Sequence, residues 1–450
     1  MESSANKHRR NMSKSSRPRS STKGPLDAPE DLPSSAPDSL SMARVLSPTL
    51  SGEGVGGTSL GALDPLMSGD LFSSHGKDLS YLLRSDIYHP LSQLSVPPAL
   101  RTEFVVPVPG ETVSTLLGAL ERLLAEGHFL VAAHLCATLL TPSFISATDS
   151  NSIFTVLYLR LACLELSGNA ILAAQESKAL EDLSSTFYYV GTDQKASEGA
   201  PEHGHHGAPR HIVPWPLRLL AVRLQSIGFG DPRRGIGGLY ELGLEARREI
   251  LRPGTTNSER AIWSDRLADL GVRSVNALIE MGDLETARRS LANLTASRTM
   301  DHVARTRKAL LLLKIGDLDA AKKLQSEAGE SDDSLLKPLL SMAEGRYLDA
   351  TSEWRALLDS AFQESERAMI VHNLAVCLLY TGQLNEARPF LESLISENNS
   401  FGSLTFNLST IYELCSEKAA TLKTQLVERV SKQPVSGHTN LEHPNSDFKL

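Results

Sequence analysis

The stretch that decides the fold is residues 369–396, which read MIVHNLAVCLLYTGQLNEARPFLESLIS. Apolar residues recur on both sides of Gly382 at the spacing of one helix face. Gly382 ends the first helix, because glycine adopts the left-handed cap conformation without strain at Cβ. Ala387 follows five positions later, where a small side chain lets the two helices cross closely. The stretch therefore predicts a helix, a tight turn and a second helix.

This paired-helix unit recurs along the chain. Asn373-Leu374 returns as Asn407-Leu408, 407 − 373 = 34 residues later. The step from a glycine to an alanine five residues on is also found at Gly127/Ala132, Gly168/Ala173, Gly282/Ala287, Gly316/Ala321 and Gly345/Ala350, and at Gly230/Gly235 with glycine in the alanine position. A 34-residue period with this step is typical of tetratricopeptide (TPR) repeats. We therefore predict an all-α fold, a TPR-type α-solenoid with a disordered N-terminal tail.

Composition and charge fit an all-helical intracellular protein. A net charge of −8 does not favour nucleic acid as a partner. The four cysteines stand far apart without metal-ligand or redox spacing, so we interpret them as reduced core residues. No apolar run approaches the roughly 18 residues that span a bilayer. The first residues lack the apolar segment of a secretory signal, so we expect none.

The chain divides into segments of different composition. Residues 1–78 are rich in Ser, Pro and Gly, and we expect a disordered tail. Residues 79–110 carry clustered apolar residues broken by prolines, which exclude a long helix. We expect there an extended strap that lies either on its own repeats or on a partner. Residues 111–431 form the predicted TPR-like α-solenoid, with a loop insertion at 191–212, and residues 432–450 form a polar C-terminal tail.

Capping residues and helix-breaking residues predict several helix boundaries. The second helix of the second pair is predicted at Ala170–Leu183. Asp231-Pro232 combines an N-cap with proline at the first helical position, so a long helix begins there. The next helix is predicted at Asn257–Met281, and Asp283 and Asp317 are predicted to cap the helices that follow their turns.

No motif has catalytic, cofactor-binding or metal-ligating spacing. The dinucleotide pattern is matched formally at Gly52, Gly54 and Gly57, but no strand precedes these glycines and no helix follows. Four histidines lie in or beside the predicted loop, at His203, His205, His206 and His211. No cysteine or carboxylate stands at a rigid spacing from them, so we expect a flexible loop and no metal site. We interpret His372 as a core or rim histidine whose hydrogen bonds are made within the protein. We predict a protein that is not an enzyme and needs no cofactor.

Two binding interpretations remain open beside a scaffold role. Basic residues cluster in the middle repeats at Arg288, Arg289, Arg298, Arg305, Arg307 and Lys308, and form either a solvated face or a groove for an acidic peptide. Some TPR domains bind acidic chaperone tails through Lys, Asn and Arg from three consecutive repeats. Asn373 stands at a compatible position, but the Lys and Arg partners do not recur. A TPR co-chaperone or peptide-binding adaptor is therefore the alternative function, and an enzyme with a TPR regulatory region lacks a spare ordered domain.

The C-terminal repeats resemble a known family. His372–Tyr380 followed by Gly382 is similar to the C-terminal repeats of the family of subunit 12 of the trafficking protein particle (TRAPP) complex. So is Leu404–Leu414, the run that contains Asn407, Leu408 and Tyr412. The strap segments Tyr88–Leu91 and Val96-Pro97 resemble that family as well. The resemblance covers roughly residues 80–431.

The resemblance implies a non-catalytic subunit of a large assembly. That assembly is an exchange factor for a Rab GTPase and tethers vesicles between the endoplasmic reticulum and the Golgi, and one form serves autophagy. By the same resemblance the partners are other TRAPP subunits, the large subunits 8 and 11 among them, and the exchange chemistry belongs to other, small subunits. The implied location is the cytoplasm, peripherally at the ER–Golgi intermediate and Golgi membranes, with membrane association only through the complex.

Overall fold

The structure is a computed structural model that describes residues 77–96, 101, 104, 112–141, 144–190, 210–294, 302–326, 335–359 and 364–434. Apart from its last two residues, the predicted disordered tail lies outside the described residues. So do residues 191–209 of the predicted loop insertion and residues 435–450 of the predicted polar tail.

Helices dominate the described part of the chain. In order they are α1 (Val113–Glu126), α2 (Phe129–Leu140), α3 (Ser150–Leu166), α4 (Ala170–Glu176), α5 (Trp215–Phe229), α6 (Pro232–Leu251), α7 (Asn257–Met281), α8 (Leu284–Asn293), α9 (His302–Ile315), α10 (Leu318–Ser326), α11 (Leu336–Ala343), α12 (Tyr347–Asp359), α13 (Glu364–Tyr380), α14 (Leu384–Ser396), α15 (Gly402–Cys415) and α16 (Ala419–Ser431). A short antiparallel pair joins β1 (Tyr189–Val190) to β2 (Arg210–His211). Among the described residues, none of the helices has both the length and the apolar character needed to cross a bilayer.

Each helix packs mainly against the helices that precede and follow it in the chain. The most extensive contact joins α6 to α7, the two longest helices of the described chain. This packing of neighbour on neighbour is that of an α-solenoid, in which each helix pair covers the apolar face of the next. The predicted all-α solenoid is confirmed.

The buried apolar residues form clusters that follow one another along the chain. The first cluster runs from the N-terminal segment to α5, and a small second one joins α5, α6 and α7 around Trp215. The third extends from α6 to α11. The fourth extends from α11 to α16 and contains the fully buried Trp354. The apolar core is therefore divided into clusters that follow one another in the order of the helix pairs along the chain.

Caps set the helix boundaries in the middle of the chain. The α7 helix begins with a capping box, because the Thr256 hydroxyl accepts from the Glu259 N–H (3.2 Å) and Glu259 accepts from the Thr256 N–H (3.1 Å). The predicted bounds of α7 are confirmed. Carboxylates of Asp231, Asp283 and Asp317 accept from backbone N–H groups at the starts of α6, α8 and α10, at 3.1, 3.1 and 3.2 Å. The three predicted caps are confirmed as well.

The α4 helix is shorter than predicted. It ends at Glu176, a 3₁₀ turn follows at Ser177–Leu180, and the prediction of a helix to Leu183 was wrong. Glu181 has a φ of 51°, in the left-handed region that an α-helix of L-residues does not enter. Apolar spacing alone could not reveal this break.

The N-terminal segment 77–96 packs on the first helices of its own chain. Leu79 and Leu82 are fully buried, and short 3₁₀ turns form at Ser80–Leu83 and Gln93–Ser95. The Leu79 N–H donates to the Ala147 carbonyl (2.9 Å), and the Tyr88 hydroxyl donates to the Leu82 carbonyl (2.6 Å). The segment therefore belongs to the first apolar cluster.

A buried ion pair holds this segment through its main chain. Arg160 of α3 and Glu176 of α4 have fully buried side chains, joined at 2.6 Å and 2.9 Å. Arg160 also donates to the carbonyls of His89 (2.9 Å) and Ala133 (2.8 Å). Glu176 accepts from the His89 N–H (2.9 Å). The pair thus hydrogen-bonds both backbone polar groups of His89 and ties this segment to α3 and α4.

Candidate functional site

The glycines of the recurring turns share one backbone conformation. All seven have a positive φ: Gly127 (80°), Gly168 (81°), Gly230 (61°), Gly282 (83°), Gly316 (84°), Gly345 (75°) and Gly382 (78°). This is the left-handed region that glycine enters without strain. Each of these turns therefore ends one helix and starts the next in the same way.

The position five residues after each turn is a point of close helix contact. Six alanines occupy it and are fully buried: Ala132, Ala173, Ala287, Ala321, Ala350 and Ala387. The exception, Gly235, has a physical reason. A Cβ at that position would lie 2.8 Å from Cβ of Ser226, closer than two such carbons can approach. The α5–α6 crossing therefore needs a residue smaller than alanine.

Replacing Gly382 with leucine is expected to lower the free energy of unfolding by about 1–2 kcal/mol, the cost of a left-handed L-residue. No atom lies within 4 Å of the added Cβ, so the backbone conformation alone sets the loss. Urea unfolding followed by circular dichroism measures it. Asparagine tolerates this conformation better, so Gly382→Asn is the matched control and should lose less. Equal stability of the leucine variant and the wild type would contradict the turn conformation.

The two repeats that carry the family resemblance use equivalent residues differently. Leu374 of α13 and Leu408 of α15 are both fully buried in the fourth cluster. Asn407 is buried too, at 3% exposure, whereas Asn373, its equivalent one repeat earlier, is only partly buried. Asn407 is thus a structural residue, and Asn373 retains a solvent-accessible side.

Asn407 is held by a histidine from the preceding repeat. The nitrogen atoms Asn407 Nδ2 and His372 Nε2 are 3.0 Å apart, and the His372 ring lies edge-on to Phe401 at 5.2 Å. Burial lowers the pKa of His372 to about 4, although a hydrogen bond to the Ser403 backbone opposes this shift. The neutral ring accepts from the Asn407 amide through Nε2, which leaves its N–H for Ser403. His372 therefore joins α13 to α15.

The stability of the chain is expected to fall as the pH drops from 6.5 towards 4. In this range His372 binds a proton in the unfolded chain but stays neutral in the folded chain. The stabilisation from His372 is complete above the unfolded pKa of about 6.5, and about 2 kcal/mol of it should be lost between pH 7.5 and 5. His211, whose pKa burial also lowers to about 4, should add a similar loss. Melting temperatures across this range measure the loss. His372→Gln removes one titrating group but keeps an acceptor, and should reduce the slope by about half, because His211 supplies the rest. An unchanged slope in that variant would contradict the assignment.

A second polar bridge joins α14 to α15. The Tyr412 hydroxyl donates to Glu392 Oε1 (2.9 Å), and Arg388 Nε donates to the same oxygen (2.9 Å). The Arg388 guanidinium also lies 5.2 Å from the centre of the Tyr412 ring. Tyr412, in the second run that carries the resemblance, is therefore an inter-repeat contact residue.

The basic residues of the middle repeats are in part neutralised. Arg288 pairs with Asp317 at 3.0 Å and Arg289 with Glu285 at 3.2 Å. Arg298 lies outside the described residues, while Arg305, Arg307 and Lys308 lie on α9. The ion pairs of Arg288 and Arg289 favour the solvated-face interpretation for these two residues over an open basic groove.

Of the four histidines in or beside the predicted loop, the structure describes one, His211. His203, His205 and His206 lie outside the described residues, and His211 lies on β2. His211 Nδ1 accepts from the Val213 N–H (3.0 Å), and Nε2 lies 2.9 Å from the Leu183 carbonyl. Burial lowers its pKa to about 4. Both ring nitrogens of His211 thus contact backbone groups. Across the described ranges no three His, Cys, Asp or Glu side chains are grouped as metal ligands would be.

An open groove lies along α14 in the C-terminal repeats. It is lined by Arg367, Asn385, Glu386, Pro389, Phe390, Ser393 and Glu397. Ion pairs from Arg355 to Glu386 and from Arg367 to Glu397 mark its sides. Proline lacks an N–H, so Pro389 leaves the Asn385 carbonyl without its α-helical donor. The lining of the groove is therefore mixed, with both charged and apolar side chains.

The four cysteines differ in access to solvent. Cys136, Cys163 and Cys377 are fully buried on α2, α3 and α13, and Cys415 is exposed at the end of α15. The prediction of core residues is confirmed for the first three cysteines and was wrong for Cys415. Burial raises the pKa of the Cys136 and Cys377 thiols to about 12. All four lie in described helices, and none is disulfide-bonded.

Sequence comparison finds relatives that match most of the chain. The chain is 23% identical over 356 residues to trafficking protein particle complex subunit 12 of Mus musculus, and 24% identical over 361 residues to the Homo sapiens protein. The chain is similar to this subunit. The matches cover 70% and 71% of the chain but 42% and 47% of the relatives, so the chain spans less than half of their length. No family model matches the chain, and no solved structure matches it.

Proposed function

We propose that the chain is a non-catalytic, TPR-type scaffold subunit of a TRAPP vesicle-tethering and Rab exchange-factor complex. The observation that carries the proposal is the similarity to subunit 12 over 70% of the chain. The recurring turn with its left-handed glycine and the buried small residue that follows support the TPR assignment. The hydrogen bonds between His372 and Asn407 and between Tyr412 and Glu392 support a rigid C-terminal part.

The proposed role is to hold other subunits together. The proposed partners are the large subunits 8 and 11, and the proposed processes are ER-to-Golgi transport and autophagy. The proposed location is the cytoplasm and, through the complex, the surfaces of ER–Golgi intermediate and Golgi membranes. Polar groups of the described core, such as those of Arg160, Glu176 and Asn407, form structural contacts with one another and with the backbone, which suits a scaffold.

Size-exclusion chromatography of native extract tests the proposal. The chain alone has a mass of 48.8 kDa, and a subunit should elute in a far larger particle. Affinity purification of the tagged full-length chain should recover the other TRAPP subunits. Elution at the monomer position, with recovery of chaperone C-terminal tails, would favour the co-chaperone alternative. Nucleotide exchange on a Rab GTPase by the purified chain alone would contradict the non-catalytic role.

A further inference from the structure

The outward face of α6 carries more exposed apolar side chains than any other described helix. Tyr240, Leu244 and Leu251 are 49%, 52% and 81% exposed. Other described helices expose large apolar residues singly, for example Ile171 on α4 and Leu348 on α12. Isolated exposed apolar residues are ordinary on protein surfaces, but a row on one helix face indicates an interaction site.

The spacing of this row is that of a helix–helix seam. Gly237, Tyr240, Leu244, Arg247 and Leu251, which we call the α6 seam, are separated alternately by three and four residues. This alternation places side chains along the line where two helices pack side by side. A Cβ at Gly237 would meet no atom within 4 Å, so space for a partner backbone is open there. The 251 − 237 = 14 helical steps from Gly237 to Leu251 give the seam a length of about 21 Å.

The exposed charges of α6 are predominantly positive. Arg233, Arg234, Arg247 and Arg248 are exposed, with Glu241 as the exposed acid of α6, which gives 4 − 1 = +3. No ion pair joins any of these four arginines to an acid in the described part of the chain. The other two acids of α6 already have partners, Glu245 in Arg218 and Glu249 in Arg252.

We propose that the α6 seam docks an acidic amphipathic helix of a partner protein. The heptad spacing favours a helix as the partner. The four arginines favour a helix with acidic residues beside its apolar face. A membrane surface fits less well. Helices that lie in membranes have a broad and continuous apolar face, whereas this row is narrow and is interrupted by Arg247. The site does not depend on the proposed function, because the purified chain presents it by itself.

The test is a binding titration of the full-length chain with a designed probe. The probe is a fluorescein-labelled peptide of three heptads, with leucine at positions a and d and glutamate at e and g. Like-charge repulsion keeps this peptide from pairing with itself. Fluorescence anisotropy is expected to show saturable binding that weakens as salt is added. A peptide with lysine in place of every glutamate is expected to bind at least tenfold more weakly.

Matched variants locate the site. Leu244→Asp is expected to weaken probe binding at least tenfold, and Leu348→Asp, at a position 70% exposed on α12, to leave it unchanged. Arg247→Glu combined with Arg248→Glu should reverse the preference, so that the lysine peptide binds better. These positions are exposed, so circular dichroism should show unchanged helicity and melting in every variant.

Several results would overturn the proposal. Equal losses in Leu244→Asp and Leu348→Asp would show non-specific adhesion. Binding to anionic phosphatidylserine vesicles that Leu244→Asp removes, with no binding of the acidic peptide, would make the face a membrane site. Dimerisation abolished by Leu244→Asp would make a second copy the occupant. Probe binding at least tenfold tighter after deletion of residues 192–208 would make that segment of the chain the occupant.

Discussion

Replacing Arg160 with methionine is expected to lower the free energy of unfolding by about 3–5 kcal/mol, because it leaves the Glu176 carboxylate buried without its charge partner. The substitution also removes the donors to the carbonyls of His89 and Ala133. Buried acceptors that lose their donors add to the loss. Urea denaturation followed by circular dichroism measures it, and limited proteolysis should show earlier cleavage within residues 77–96.

The double variant Arg160→Met with Glu176→Met is the control. Replacing both charges with apolar groups of similar volume removes the uncompensated carboxylate, so the double variant should be more stable than Arg160→Met alone. The His89 main chain still loses its partners, and the N-terminal segment should stay sensitive to protease. A double variant as unstable as the sum of the two single variants would contradict the account of the pair.

Replacing Trp354 with alanine is expected to cost about 3–5 kcal/mol, the usual loss for a large aromatic removed from a core. Trp354 is fully buried in the fourth cluster, and its indole Nε1 donates to Met342 Sδ at 3.2 Å. Because the apolar clusters follow one another along the chain, the damage should stay near α11–α16. Hydrogen exchange should therefore accelerate there and remain slow in α1–α3.

Leu348→Ala on the same helix is the matched control for the tryptophan variant. Leu348 is exposed, so its truncation should change stability by less than about 0.5 kcal/mol. Faster exchange in α1–α3 of the Trp354→Ala variant would show that the chain unfolds as one unit. That result would contradict a core divided in the order of the helix pairs.

Most of the helical framework could be predicted from the sequence, because its determinants are local. A capping aspartate lies a few residues from the N–H groups that it satisfies, so Asp231, Asp283 and Asp317 could be assigned without knowledge of the fold. The bounds of α7 followed from the spacing of its apolar residues and the glycine after it.

Contacts between distant parts of the chain could not be predicted in this way. The partners of Glu176 are Arg160 and the backbone of His89, 16 and 87 residues away. One signal was present, since Arg160 interrupts an apolar run on both of its sides and a charge there calls for a buried partner. Nothing near His211 in the sequence indicated that β1 would pair with it.

The α6 seam was also missed by sequence patterns alone. Its apolar residues alternate with the buried residues of the same helix, such as Leu239 and Leu242, so the sequence shows one broad apolar helix. Only the packing of α6 on α5 and α7 decides which residues remain outside. The one sequence signal is the spacing of Tyr240, Leu244 and Leu251, at intervals of four and seven residues, and it does not show which face of the helix is exposed.

Because Cys415 is exposed and the other three cysteines are buried, the wild-type chain offers a single cysteine for chemical labelling. At neutral pH a thiol whose pKa is about 12 is almost never ionised, and Cys136 and Cys377 are also enclosed by the core. Maleimide reagents should therefore modify Cys415 alone while the chain stays folded. A dye attached there would report, without any engineered mutation, when another protein binds beside the last helices.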